Sequence, residues 1–280
     1  MAIRYPEILS QVTGPNPFEW SDKETLLYAL AIGFGDAERD LRWVYEQPGL
    51  KVLPTLTTVL SLHALPDFDE IGINELMMVH GEQIVTIHQP IPFAGKGHST
   101  TRVVEVLDKG DRGAIGIFET ELILADGSRL ATLESALFAR ADGNFGGPAA
   151  RPVPPPPARP DRAPDRQWDY AIKPNQALLY RLLGDRTAFH ADPAMARAAG
   201  FDRPILHGLC TYGIACRAVI EAFDLEPTQI RSHGVRFSAP ILPGETIAFD
   251  LWREGDTILF EARNAASDVL VLRNGRTKLA

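Results

Sequence analysis

Apolar and polar positions follow the same order twice along the chain. A helical pattern comes first each time. "SDKETLLYALAIG" has Ser21 placed as an N-cap, and "KPNQALLYRLLG" opens near Asn175. Period-two or β-branched runs then read as strands. In the first part these are "QIVTIHQPI", "STTRVVEVLDKG", "GAIGIFETELILADG" and "RLATLESALFAR". In the second they are "IRSHGVRFSAPI", "ETIAFDLWREG", "TILFEARNAA" and "DVLVLRNGRTKLA". Asp126-Gly127 and Asn274-Gly275 are hairpin signals between neighbouring strands. "ILHGLCTYGIACRAVIEAFD" is apolar nearly all round, which predicts a buried helix. The order predicts an α+β fold in which an antiparallel sheet wraps a central helix, built twice.

Residues 148–166, "PAARPVPPPPARPDRAPDR", cannot build a core and favour extended polyproline geometry. They read as a linker between residues 1–147 and 167–280, with "GNFGG" as a flexible exit before it. The two parts echo each other. Leu26-Leu27-Tyr28, His80-Gly81 and Pro90-Ile91 recur in the same order, at nearly constant offset, as Leu178-Leu179-Tyr180, His233-Gly234 and Pro240-Ile241. A duplicated unit is expected.

Composition narrows the function classes. The 280 residues are 45% hydrophobic and 23% charged, as in ordinary globular proteins, and the net charge of −8 offers no global field for nucleic acid or anionic membrane. No apolar run is long enough to span a bilayer. Two cysteines, Cys210 and Cys216, make no disulfide framework. "MAIRYPEILS" lacks a signal-peptide layout and "RTKLA" is no peroxisomal address, so a cytoplasmic location is expected.

Candidate chemistry concentrates in "GDRTAFHADP", followed by "PILHGL". Asp192-Pro193 has the form of an N-cap with proline at the first helical position. Asp185 and His190 precede that cap on a loop able to bring them together, either as a structural hydrogen-bonded pair or as a catalytic one. Asp185, His190, Asp192 and His207 are possible metal ligands, but no established metal spacing supports them, and no metal is expected. No G-x-S-x-G elbow, G-x-G-x-x-G or P-loop occurs, so no nucleotide cofactor is expected. Gly208 at a helix entry offers a backbone N–H for an oxyanion, or serves only close packing.

At "YRLLGDRTAFHADP…AGFDRPILHGL" the chain resembles the MaoC-like (R)-specific enoyl-CoA hydratases. It is most similar to the form with two hot-dog repeats found in the hydratase part of peroxisomal multifunctional enzymes. "YALAIGFGD", "DLRWVYE", "LPTL", "VHGEQ" and "TTRVVEVLDKGDRGA" extend the resemblance over nearly the whole chain. It implies reversible hydration of trans-2-enoyl-CoA to (3R)-3-hydroxyacyl-CoA, with Asp185 and His190 activating the water and a Gly208 N–H holding the thioester oxygen. His207 is implied to orient the loop, Tyr180 to support the site, and Glu82 of "HGEQ" to match a family glutamate important for activity, either directly or in a structural or substrate-positioning role.

The family pattern Gly-Asp-x-Asn-Pro-Leu-His departs here to Gly184-Asp185-Arg186-Thr187-Ala188-Phe189-His190. Thr187 keeps an oxygen but loses the amide donor. After Asp36 the spacing that ends at His190 ends instead at Leu41, so the first part lacks the dyad and is expected to shape the acyl pocket. Arg203 and Arg231 are candidates for the CoA phosphates by position. Besides an acyl-CoA substrate, a second copy in a homodimer is a possible partner. A hot-dog acyl-CoA thioesterase and a non-catalytic acyl-CoA-binding protein are the alternative functions.

Overall fold

A computed structural model describes residues 3–47, 49–152 and 156–280. The first half contains β1 (Val12–Trp20), α1 (Asp22–Ala31), α2 (Leu41–Val44), α3 (Thr57–Leu60), β2 (Met78–Ile87), β3 (Gly95–Asp108), β4 (Ala114–Leu124) and β5 (Arg129–Ala139). The second contains β6 (Arg166–Ala171), α4 (Gln176–Tyr180), α5 (Pro193–Ala198), α6 (Gly208–Phe223), β7 (Ile230–Phe237), β8 (Thr246–Glu254), β9 (Thr257–Asn264) and β10 (Leu270–Leu279).

The strands form one ten-stranded sheet in the order β1-β3-β4-β5-β2-β7-β10-β9-β8-β6. Read from either edge, the order runs through corresponding strands of the two halves. β2 and β7 meet antiparallel at the centre, with Gln83 opposite Val235 and Ile84 opposite Gly234. This is the expected double hot-dog architecture.

Each half opens with a strand rather than the helix expected from the pattern. β1 holds Gly14, Pro15 and Pro17, which erase its strand signal, yet it is an edge strand, where missing N–H donors are tolerated. β6 is the opposite edge and only six residues long. It begins at Arg166, the last residue of the expected linker, of which residues 153–155 lie outside the described residues. The linker's described parts are pinned: Arg151 pairs with Glu134 at 3.1 Å, and Trp252 Nε1 donates to the Arg162 carbonyl at 3.0 Å. "GNFGG" is not a loose exit either, because Asp108 accepts from the N–H groups of Asn144 and Gly146.

The halves differ most in their helices. α6 runs sixteen residues, buried continuously from Cys210 to Ile220. Arg217, the charge within that buried stretch, lies 4.4 Å from the Phe34 ring centre and pairs with Glu221 of the same helix at 3.0 Å. The matching region of the first half holds only the four-residue α3 and short 3-10 turns. A second seam joins the halves where Gln176 Nε2 donates to the Ala31 carbonyl at 2.9 Å. Gly33, with φ +98°, is required beside it because a Cβ would strike the Tyr170 hydroxyl.

Candidate active site

Gly184, at φ +125°, ends the 3-10 turn after α4 and starts the loop that carries the site. Asp185 then organises its own neighbourhood. Its Oδ1 accepts from the Thr187 amide at 3.1 Å and from the Thr187 hydroxyl at 2.7 Å. The oxygen that Thr187 retains therefore fixes the carboxylate. Asp192 serves as the N-cap of α5, accepting from the Ala194 N–H at 2.7 Å.

A 3-10 turn, Ala188–His190, tucks the imidazole inward. His190 Nδ1 lies 2.9 Å from the Ile205 carbonyl, which can only accept, so Nδ1 carries the hydrogen and Nε2 keeps its lone pair. Burial pushes the His190 pKa down, favouring this neutral form. The His207 ring stacks on it at 3.7 Å between centres, and burial, reinforced by His190, pushes His207 down to about 3. His207 Nε2 approaches the backbone carbonyl of Asp185 at 3.3 Å, tying the loop to the start of α6. For Asp185 burial acts to raise the pKa, but His207, the Thr187 hydroxyl and His190 outweigh it and hold the group ionised.

One ligand-capable atom from each of Asp185, His190 and His207 lies within 4.8 Å of the others, the one such group among the described residues. The set fits a metal ion poorly. The two imidazole planes are 20° from parallel, so in-plane lone pairs run side by side instead of converging, and His207 Nε2 and His190 Nδ1 already face carbonyls. It fits a water molecule accepted by two bases.

Gly208 is the first residue of α6, whose opening N–H groups have no acceptor within the helix. A Cβ there would meet the Phe237 ring at 3.5 Å, an ordinary contact, so close packing does not demand glycine. Asp185, His190 and Gly208 all line a cavity of about 960 Å³ that both halves enclose.

Other expected positions fall elsewhere. Glu82 does not line the cavity; it lies 3.7 Å from Arg236, which faces Arg273 across the strands. A bulge between His80 and Glu82 breaks the alternation of β2, so His80 and Gln83 line the cavity instead. Both stood inside "VHGEQ" but were unassigned. Burial pushes His80 down to about 4. Tyr180 is buried against His207, ring centres 5.0 Å apart, and does not reach the cavity. Arg203 points toward Glu245, and Arg231 lines a separate cavity of about 350 Å³ with Val52 and Pro54. Arg140 and Arg186 are the arginines at the main cavity.

Comparison with known proteins adds independent findings. Residues 18–141 match the MFE-2 hydratase 2 N-terminal domain, and residues 156–274 match the MaoC like domain. The chain is 36% identical over 273 residues to enoyl-CoA hydratase ChsH3 of Mycobacterium tuberculosis, covering 93% of each. It is 39% identical over 272 residues to 3-hydroxyacyl-thioester dehydratase Y of the same organism, covering 94% of this chain and 92% of that one. The crystal structure of a MaoC-like dehydratase from Phytophthora capsici superposes with a TM-score of 0.88 at 30% identity, covering 99% of both chains.

Proposed function

The chain belongs to the MaoC-like enoyl-CoA hydratase and dehydratase family, in the form with an MFE-2 hydratase 2 N-terminal domain, and on that premise we propose that it reversibly hydrates trans-2-enoyl-CoA to (3R)-3-hydroxyacyl-CoA. The observation that carries this reading is that a lowered-pKa His190 and a lowered-pKa Asp185 cluster together and line the same cavity as Gly208 at the open start of α6.

Both groups are acceptors, so one water donates a hydrogen to each and turns its oxygen lone pair toward C3. One O–H bond breaks while C3–O and C2–H bonds form on the same face. The water supplies hydroxyl and proton alike, so base and acid are not divided between the two residues. Negative charge grows on the thioester oxygen, where the Gly208 N–H and the positive end of α6 stabilise it. His207 and Thr187 position the pair.

The first half contributes no second dyad. Its Asp36 pairs with Lys173 at 2.6 Å, and Leu41 stands at the place corresponding to His190. Its part is to wall the acyl space that its short helix leaves open. Arg140 and Arg186 replace Arg203 and Arg231 as the proposed CoA phosphate contacts.

Following the enoyl absorbance of a trans-2-enoyl-CoA and resolving the product by chiral chromatography tests the reading. Asp185→Asn and His190→Ala are each expected to lower kcat/KM by roughly 10²–10⁴. Free thiol release with no loss of the enoyl double bond would identify a thioesterase instead.

A further inference from the structure

The floor of the cavity carries a row of polar side chains. Gln83 on β2 stands directly opposite Ser135 on β5, and Thr101 on β3 stands directly opposite Thr120 on β4. Ser135 Oγ donates to Gln83 Oε1 at 2.8 Å, and the two threonine hydroxyls lie 2.7 Å apart. Gln83, Thr120 and Ser135 all line the cavity. The row separates two apolar clusters, one around Phe118, Val103 and Leu137, the other around Leu122, Leu133 and Val85.

The corresponding strands of the second half supply a comparison within the same molecule. There β7, β8 and β9 bury Val235, Phe249 and Phe260 in the core shared with α6. The second half does carry a polar pair at the matching place, His233 on β7 and Thr277 on β10, 2.7 Å apart, but it is enclosed against Tyr212 of α6, whereas Gln83, Ser135 and Thr120 face the cavity. A plain hydrocarbon chain laid on this floor would strip water from polar groups and return no hydrogen bond.

The row keeps unspent capacity. Each hydroxyl of the threonine pair can donate once, and their mutual contact uses only one of those hydrogens. Gln83 spends its Nε2 hydrogens on the carbonyls of Ile84 and Glu134, and its Oε1 is engaged by Ser135 and His80, but the Ser135 and Thr120 oxygens retain lone pairs. One neutral donor and several acceptors match a hydroxyl or a keto oxygen.

We propose that the Gln83–Ser135–Thr120–Thr101 row recognises an oxygen atom on the distal part of the acyl group, so that the preferred substrates are enoyl-CoAs bearing a hydroxyl or keto group away from the thioester. This rests on the reading of the cavity as an acyl-CoA site and narrows its substrate class.

Calorimetric titration with saturated decanoyl-CoA and with a series placing one hydroxyl at successive chain carbons tests it without turnover. Hydration of crotonyl-CoA, too short to span the cavity, reports separately on the reaction. At one or more hydroxyl positions the protein is expected to bind roughly fivefold tighter than to the plain chain, the worth of about one net hydrogen bond. Thr120→Val and Ser135→Ala should remove that preference, and Thr120→Ser, which restores the hydroxyl, should keep it. Equal or tighter binding of the plain chain against every hydroxylated one overturns the proposal, as does a preference that survives Thr120→Val and Ser135→Ala in folded protein. A preserved preference without crotonyl-CoA hydration would sink the hydratase reading and leave the polar floor standing.

Discussion

The imidazoles of His190 and His207 lie face to face, ring centres 3.7 Å apart and planes 20° from parallel. A proton on either ring would set a cation against its neighbour in a poorly solvated place. Both are pushed below the ordinary histidine value, His207 to about 3. Since the proposed reaction needs the unprotonated His190 Nε2, activity should hold as pH falls through about 6.5 and decline only below it. The acid limb of kcat/KM against pH measures this. A limb centred at or above about 6.5 would show that the ring is not held neutral by its surroundings.

The same burial predicts how the fold responds to acid. His207 and His233 are both buried and both pushed down to about 3, while an unfolded histidine titrates near about 6.5. Below that pH the unfolded chain takes up protons that the folded chain refuses. Their contribution is therefore complete above about pH 6.5 and lost progressively toward about pH 3, each residue costing on the order of 1 kcal/mol per pH unit. Urea midpoints at about pH 7 and about pH 5 should differ accordingly, and His233→Gln should flatten the difference. Identical midpoints for the native protein would contradict the assignment.

Thr187 is exposed, so its removal should leave the fold alone. Its hydroxyl nevertheless holds Asp185 Oδ1 at 2.7 Å. Thr187→Ala is expected to lower kcat by roughly fivefold to tenfold, the worth of about one hydrogen bond to a charged group, with the melting temperature unchanged. Thr187→Asn, the residue of the related pattern, should stay within about threefold of the native rate, since it still presents a polar group to Asp185. Equal rates for Thr187→Ala and the native protein would remove Thr187 from the positioning of the carboxylate.

Gly208 permits a deletion of the proposed oxyanion donor alone. Proline is accepted at the first position of a helix, and the residue before a proline favours extended backbone. His207 already has φ −58° and ψ 135°. Gly208→Pro should therefore fold, keep the helical circular-dichroism signal and lose roughly 10²–10³ in kcat. Gly208→Ala keeps the N–H and should lose far less. If both variants fell equally, crowding against Phe237 would be the cause, and the N–H would have no special part.

How much of this was legible depended on whether a feature is local in the chain. Asp185, Thr187 and His190 are near neighbours joined by one loop, so their spacing survives folding. The capping role of Asp192 is likewise a matter of adjacent residues. His80 and Gln83 reach the same cavity from about a hundred residues away, through a strand whose bulge overturns the simple alternation. That bulge is why Glu82, two places from His80, turns away to Arg236. Arg231 was likewise beyond local reading: from β7 it lines the smaller cavity with Val52 and Pro54 of the first half. β1 and β6 were hidden because edge strands need little of the apolar alternation that marks interior ones.

The mirrored halves share one polypeptide, and this frees each from the other. In a pair of identical subunits, any change that shortened one central helix would shorten both, and with it would go the helix start proposed to hold the oxyanion. Here α3 has shrunk to four residues while α6 keeps sixteen. Open space in one half and an intact long helix in the other, the proposed acyl room and oxyanion site, can be inherited, and altered, as separate traits.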